Sequence, residues 1–232
     1  SRTSIATSAS ESIAGRRGPP RGKDVSSGAV RSGLDRRWRH RRAAAARPRP
    51  ALRRRQEEVM HAVPVLETPR LTLRGWRETD FPGFAAFCAD EVTRRFIPGA
   101  ETEPKAWQRM CGFAGQLSLR GYGFWALERK GDGAFVGYAG FFHPPDWPEP
   151  ELGWGAAPAH RGAGFVTEAA RRIRSYAYQN LGWKTLVSFI DPENHPSVQV
   201  ATRLGATHER DHELREMRLG AWRHPSPAQC HD

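Results

Sequence analysis

Between Pro150 and Gly182 the chain passes from a strand-like segment through a glycine-rich turn into its strongest helical pattern. No other stretch restricts the possible folds as tightly. Pro150-Glu151-Leu152-Gly153-Trp154-Gly155-Ala156-Ala157 reads as a strand stopped by Pro158. Val166, Ala169, Ala170, Ile173, Tyr176, Ala177 and Leu181 recur at helical spacing, and Gly182 supplies the C-terminal stop. The turn between them, Ala159 to Phe165, aims several backbone N–H groups at one point, where the helix dipole adds positive charge. Gly162 and Gly164 carry no side chain that would block phosphate oxygens, and Arg161 is placed to add a charge-assisted contact. A pyrophosphate cradle and an ordinary strand–helix turn with capping glycines both fit these residues. The loop of nucleoside triphosphatases is excluded, because no Gly-Lys-Ser/Thr follows, and the absence of Gly-x-Gly-x-x-Gly argues against a dinucleotide fold.

The flanking patterns alternate between the two periods. Residues 65–76 alternate around Leu71, Leu73 and Trp76 as one strand. Thr79 or Asp80 then caps a helix that carries Phe81, Phe84, Ala85, Phe87 and Cys88 on one face. A second helix is expected from Pro104 to about Leu119, with the proline in its first turn. Phe124–Glu128 and Phe135–Phe141 form a hairpin through Gly131-Asp132-Gly133. Thr185–Ile190 reads as an apolar strand ended by Asp191-Pro192, and a short helix runs from about His195 to Leu204 before Gly205. Two last strands are expected at about 206–211 and 214–223. Strands interleaved with helices in this way predict an α/β or α+β domain with a mixed sheet.

Charge divides the chain sharply. The surplus of 36 Lys and Arg over 25 Asp and Glu, a net +11, lies wholly in residues 1–59, where 16 basic residues face 5 acidic ones. From Met60 to residue 232 the two signs balance, and those residues form the expected single domain. Residues 1–59 are Ser-, Ala-, Gly-, Pro- and Arg-rich, a composition that reads as a disordered basic tail. Three readings fit it: an over-extended start ahead of Met60, an arm that contacts nucleic-acid phosphates, or an organellar transit peptide. Nucleic acid is thus expected as a partner only through the tail. No run approaches the roughly 18–20 apolar residues of a membrane-spanning helix, so no membrane partner is expected. Three widely spaced cysteines, Cys88, Cys111 and Cys230, suggest a reducing compartment, the cytoplasm, and neither a disulfide framework nor a zinc ribbon. Cys230 is expected to be exposed. His208 and His212 stand four apart in a charged, strand-like segment, so no metal site is expected there.

Four ordered motifs then bear on identity. They are Glu151 to Pro158, Arg161 to Ala170, Asp191-Pro192-Glu193-Asn194-His195-Pro196-Ser197, and Leu204-Gly205-Ala206. Together they resemble the GNAT acetyltransferase superfamily. Leu66-Glu67-Thr68-Pro69-Arg70-Leu71-Thr72-Leu73-Arg74 is similar to the ribosomal-protein-alanine N-acetyltransferase branch. The resemblance covers about residues 63–225 and implies a mostly antiparallel central sheet flanked by helices. It implies acetyl-CoA as co-substrate, direct transfer to a primary amine, and no metal. The acceptor would be a small molecule or a protein N-terminus, and the assembly a monomer or homodimer. The cofactor would sit on Trp154, Gly155 and Ala156, on Arg161, Gly162, Ala163, Gly164, Phe165, Val166 and Thr167, and on Asn194. The family's last small position is Val166 here, which brings a β-branched side chain toward the pyrophosphate.

In that superfamily the strand at Glu151–Ala157 bulges and splays from the next, the pantetheine arm pairs with it, and a backbone N–H near Trp154–Ala156 polarises the thioester. Many members place a tyrosine where this chain has Ala201. Ser197, three residues after Asn194, matches the serine that the ribosomal-protein branch places near the sulfur, which makes it the candidate thiol donor, or else it is a helix-capping residue. Glu151 is a candidate base, or else a structural carboxylate within the sheet. Trp147, in a proline-flanked loop, is the best placed residue to line an acceptor pocket. A module that binds acyl-CoA without catalysis is the alternative reading.

Overall fold

The computed structural model describes residues 61–97 and 102–230, and the expectations about residues 1–59 lie outside the described residues. Eight strands form one sheet in the order β1-β2-β3-β4-β5-β6-β8-β7. Every neighbouring pair is antiparallel except β5–β6.

The first strand pattern breaks in two. β1 (Leu66–Glu67) turns through Thr68-Pro69-Arg70 and pairs back with β2 (Leu71–Arg74), so the single strand expected over 65–76 is a small hairpin. Pro69 cannot donate to a ladder, and Thr68 closes the turn with its N–H on Leu71 O at 3.0 Å. A 3-10 turn, Glu78–Asp80, precedes α1 (Phe81–Ala89), and α2 (Glu91–Arg94) follows. Of the two expected caps, Asp80 stands at the N-cap of α1. Thr79 lies inside the 3-10 turn, and Asp80 makes no side-chain cap bond because buried Arg74 holds its carboxylate through two bonds of 2.8 Å.

α3 (Glu103–Arg120) ends at left-handed Gly121, whose N–H returns to Leu117 O at 3.0 Å. β3 (Phe124–Arg129) and β4 (Phe135–Phe142) form the expected hairpin, and β5 (Glu151–Ala156) pairs with β4. α4 (Phe165–Gln179) covers one face of the sheet with Ala169, Ala170, Ile173 and Ala177, packed among Trp125, Val136, Phe141 and Leu152. On the other face α1 and α3 set Phe84, Phe87 and Met110 against Phe124 and Tyr138.

β6 (Val187–Ile190) leads to α5 (His195–Arg203), and β7 (Thr207–Leu214) and β8 (Met217–Arg223) close the sheet. Their connecting residues, Arg215 and Glu216, adopt φ of 49° and 65° without being glycine. His208 and His212 sit on β7, held by Asp211 and Arg210. Cys230 is half-buried rather than exposed.

Candidate active site

The turn before α4 is built for an anion. Gly162 and Gly164 take φ of 75° and 78°, and a Cβ on Gly162 would meet open space. The first bond of the helix ladder runs from Glu168 N to Gly164 O at 3.1 Å, so the N–H groups of Phe165, Val166 and Thr167 precede the ladder. Gly162, Gly164, Val166 and Thr167 line a cleft of about 430 Å³ that continues past Trp154, Gly155 and Ala156. Val166 is half-buried against the core as well as lining the cleft, and its side chain leaves its own N–H in place.

Arg161 lines the same cleft, and its guanidinium donates to Asp90 Oδ2 at 2.5 Å and to Thr93 Oγ1 at 2.8 Å. The nearby carboxylate is the stronger partner, and that bond in turn holds the Asp90 carboxyl down at about 2. Arg70 braces the cradle. Its Nη1 donates to Ala163 O at 3.0 Å, its Nε to Glu168 at 2.6 Å, and its guanidinium lies 4.6 Å from the centre of the Phe165 ring. Burial acts to raise the Glu168 carboxyl, but the bonds from Thr68 and Arg70 outweigh it and hold the group below its usual range. Sequence reading missed Arg70, since nothing local ties it to residues 93 and 98 positions away.

β5 and β6 separate almost at once. Their parallel pairing consists of Glu151 opposite Val187. Ala157 N donates to Val136 O, so the odd-numbered residues of β5 bond toward β4 and the even-numbered ones toward β6. The Leu152 carbonyl accepts from the Ser188 hydroxyl. Beyond it the backbone groups of Trp154 and Ala156 face the gap, while Gly155 faces β4. The splay expected from the resemblance is therefore present. The bulge is not: β4 and β5 stay in register from Phe142 opposite Glu151 to Gly137 opposite Ala156.

The gap opens onto a second cavity, of about 340 Å³, on the α1–α3 face. Trp154, Asn194 and Ser197 line both spaces. Glu151 and Trp147 line the second one, and the Trp147 indole N–H donates to Glu151 Oε2 at 2.8 Å. Burial pushes the Glu151 carboxyl up to about 8, against the bonds from Trp147 and the Phe189 backbone that favour its charged form. At neutral pH that places a proton acceptor near its working range.

The reading of Ser197 as a helix cap does not hold. Asn194 is the N-cap of α5, and its Oδ1 accepts from Ser197 N at 3.3 Å. The Ser197 hydroxyl is thereby set on the first turn of α5, at the neck between the two cavities. Ala201, where a tyrosine was looked for, is fully buried beside Ile190 and Ala206.

Comparison with known proteins agrees with this geometry. Residues 70–207 match the family model described as an acetyltransferase (GNAT) domain. The chain is 28% identical over 145 residues to the uncharacterized N-acetyltransferase YoaA of Bacillus subtilis, covering 61% of this chain and 82% of that one. The crystal structure of an acetyltransferase from Agrobacterium tumefaciens aligns with a TM-score of 0.63 and 32% identity, over 71% of this chain and 96% of the other. Mycobacterium smegmatis RimJ, in complex with CoA-disulfide, shares the fold with a TM-score of 0.58 at 16% identity, over 73% of this chain and 89% of the other.

Proposed function

The chain belongs to the GNAT acetyltransferase family and is an acyltransferase; on that premise we propose that it moves an acetyl group from acetyl-CoA directly to a primary amine. The observation that carries this reading is the continuity of the two cavities through the β5–β6 gap, with Glu151 on one side and the α4 turn on the other. When bound, acetyl-CoA supplies an activated thioester, whose C–S bond breaks as the new C–N bond forms.

The residues present fit that ligand. The N–H groups of Phe165, Val166 and Thr167 precede the helix ladder and suit a pyrophosphate, and the left-handed glycines leave it room. Trp154 and Ala156 offer backbone groups along the gap, as an added strand requires. An N–H there also suits the carbonyl oxygen as negative charge develops on it. Glu151 accepts the proton that an ammonium must lose before its nitrogen can attack, and Trp147 orients that carboxyl. Ser197 donates a proton to the departing thiolate and regains, through solvent, the one that the acylated nitrogen sheds.

The alternative of a CoA-binding module without catalysis draws on Ala201, which removes the expected acid. Thiol release from acetyl-CoA with a panel of primary amines decides between them. Amine-dependent release supports transfer, and tight CoA binding with no release on any amine supports the module.

A further inference from the structure

The far wall of the second cavity is a connected series of rings. Tyr138 lies 5.2 Å from Phe124, Phe124 6.3 Å from Phe142, Phe142 5.1 Å from Trp147, and Trp147 5.7 Å from Phe189, centre to centre. Phe113, 4.5 Å from Phe124, lines the cavity with them. The series passes through Trp147, whose indole N–H holds Glu151. The rest of the lining carries Arg109, Ser188, Asp191, Asn194 and Ser197, but against the ring wall itself a polyamine or aminosugar would leave ammonium or hydroxyl groups facing carbon, which is costly without partners. A flat apolar body gains both burial and edge-to-face contact.

The β7–β8 end of the cavity is roofed. Arg215 bonds Asp146 Oδ2 through Nη2 at 2.7 Å and Nε at 3.0 Å, tying the strand turn to the loop before β5. Its guanidinium lies 5.2 Å from the Trp147 ring centre and 5.8 Å from that of Phe142. Arg215 and Glu216 hold left-handed conformations that cost most residues about 1–2 kcal/mol each, and Asn or Gly is usual in such turns. A strained turn kept without glycine points to a placed side chain. A volume of about 340 Å³ is near the lower end of cavities that hold an organic ligand, which favours a small acceptor.

We infer that the acceptor is a small primary amine with an aromatic body, an arylalkylamine, bound with its ring against the Phe124–Phe142–Trp147 wall and its nitrogen at Glu151. This rests on the acetyl-transfer reading of the same site. The nitrogen forms the bond to the acyl carbon as the bond to sulfur breaks, and Glu151 takes the ammonium proton.

Two measurements on the full chain separate the inference from that reading. Calorimetry follows 2-phenylethylamine binding to CoA-saturated protein, and thiol release compares 2-phenylethylamine with spermidine, glucosamine and an alanine-initiated peptide. Saturable binding, with kcat/KM for 2-phenylethylamine about a hundredfold above the others, is the expected result. Binding without turnover keeps the acceptor class and overturns acetyl transfer. Turnover of the peptide or spermidine without binding of 2-phenylethylamine overturns the acceptor class and keeps transfer. Loss of both overturns both. Phe142→Ala is expected to raise KM for 2-phenylethylamine about tenfold with little change in kcat. Should that variant fold poorly, Asp146→Ala at the exposed roof is expected to raise KM for 2-phenylethylamine and to lift peptide turnover. An unchanged KM with no peptide turnover would overturn the roof as the element that excludes polypeptides.

Discussion

Glu151 combines two properties that conflict in one carboxyl. Burial raises it to about 8 against the bonds from Trp147 and the Phe189 backbone, which suits a base but disfavours its charged form. A group that works deprotonated gives a rate that climbs with pH, so kcat/KM is expected to rise through about 8. Glu151→Gln is expected to flatten that limb and lower kcat/KM about a hundredfold or more, measured by pH–rate profiles. The stability effect has the opposite sense. Between the ordinary value of 4.5 and about 8 the folded chain retains a proton that the unfolded chain releases, so stability falls as pH rises through that window. Gln titrates nowhere in it and still accepts from Trp147. The melting temperature of Glu151→Gln is therefore expected to gain on the parent from pH 5 to pH 8; a constant difference would show that the carboxyl is not raised. Glu151 and Ser197 were legible as candidates because motifs surround them. The pairing of Arg161 with Asp90 was not, since 71 residues separate partners that only the fold brings together.

Gly155 shows how an element sets the site through packing. On β5 its missing side chain faces Tyr138 and Phe87, and a Cβ would come within 2.6 Å and 2.7 Å of their ring carbons. Both rings are buried, so neither moves cheaply. Gly155→Ala is expected to cost about 1–3 kcal/mol in denaturant unfolding. Gly162→Ala meets no atom but keeps a φ of 75°, so a smaller loss of about 1 kcal/mol is expected. Equal losses would mean that crowding on β5 is not what the glycine relieves. At this scale the sequence was readable wherever one period ran uninterrupted: α3 and the β3–β4 hairpin lie within about one residue of their expected bounds. The β1–β2 hairpin was recorded only in the odd step from Leu66 to Leu71, two buried residues that one continuous strand would place on opposite faces, while Leu71 and Leu73 alternate as in any single strand. The splay was visible only through the family resemblance, since a strand's composition does not record where its neighbour departs.

Across the whole molecule, charge and chemistry occupy different parts of the chain. All of the +11 belongs to residues 1–59, while residues 60–232 carry equal numbers of each sign. In the folded part the basic groups are largely committed: Arg74 and Arg77 to Glu128, Arg161 to Asp90, Arg215 to Asp146, Arg223 to Glu149 and Glu209. A surface of paired charges offers little long-range pull on a polyanion, whereas 16 basic residues against 5 acidic ones in residues 1–59 favour contact with phosphates by counterion release. Retention on DNA at low salt is therefore expected to depend on residues 1–59 and to disappear in a chain that starts at Met60. The same shortened chain is expected to keep its melting temperature and its thiol-release rate, because α4, β5 and α5 supply the site and Leu71, Trp125, Ile173 and Leu152 supply the core beneath it. DNA binding that survives the truncation, with its salt dependence intact, would place a phosphate-binding surface on the domain itself. The basic residues to examine would then be those that line the outer side of the α4 turn, Arg171, Arg172 and Arg203.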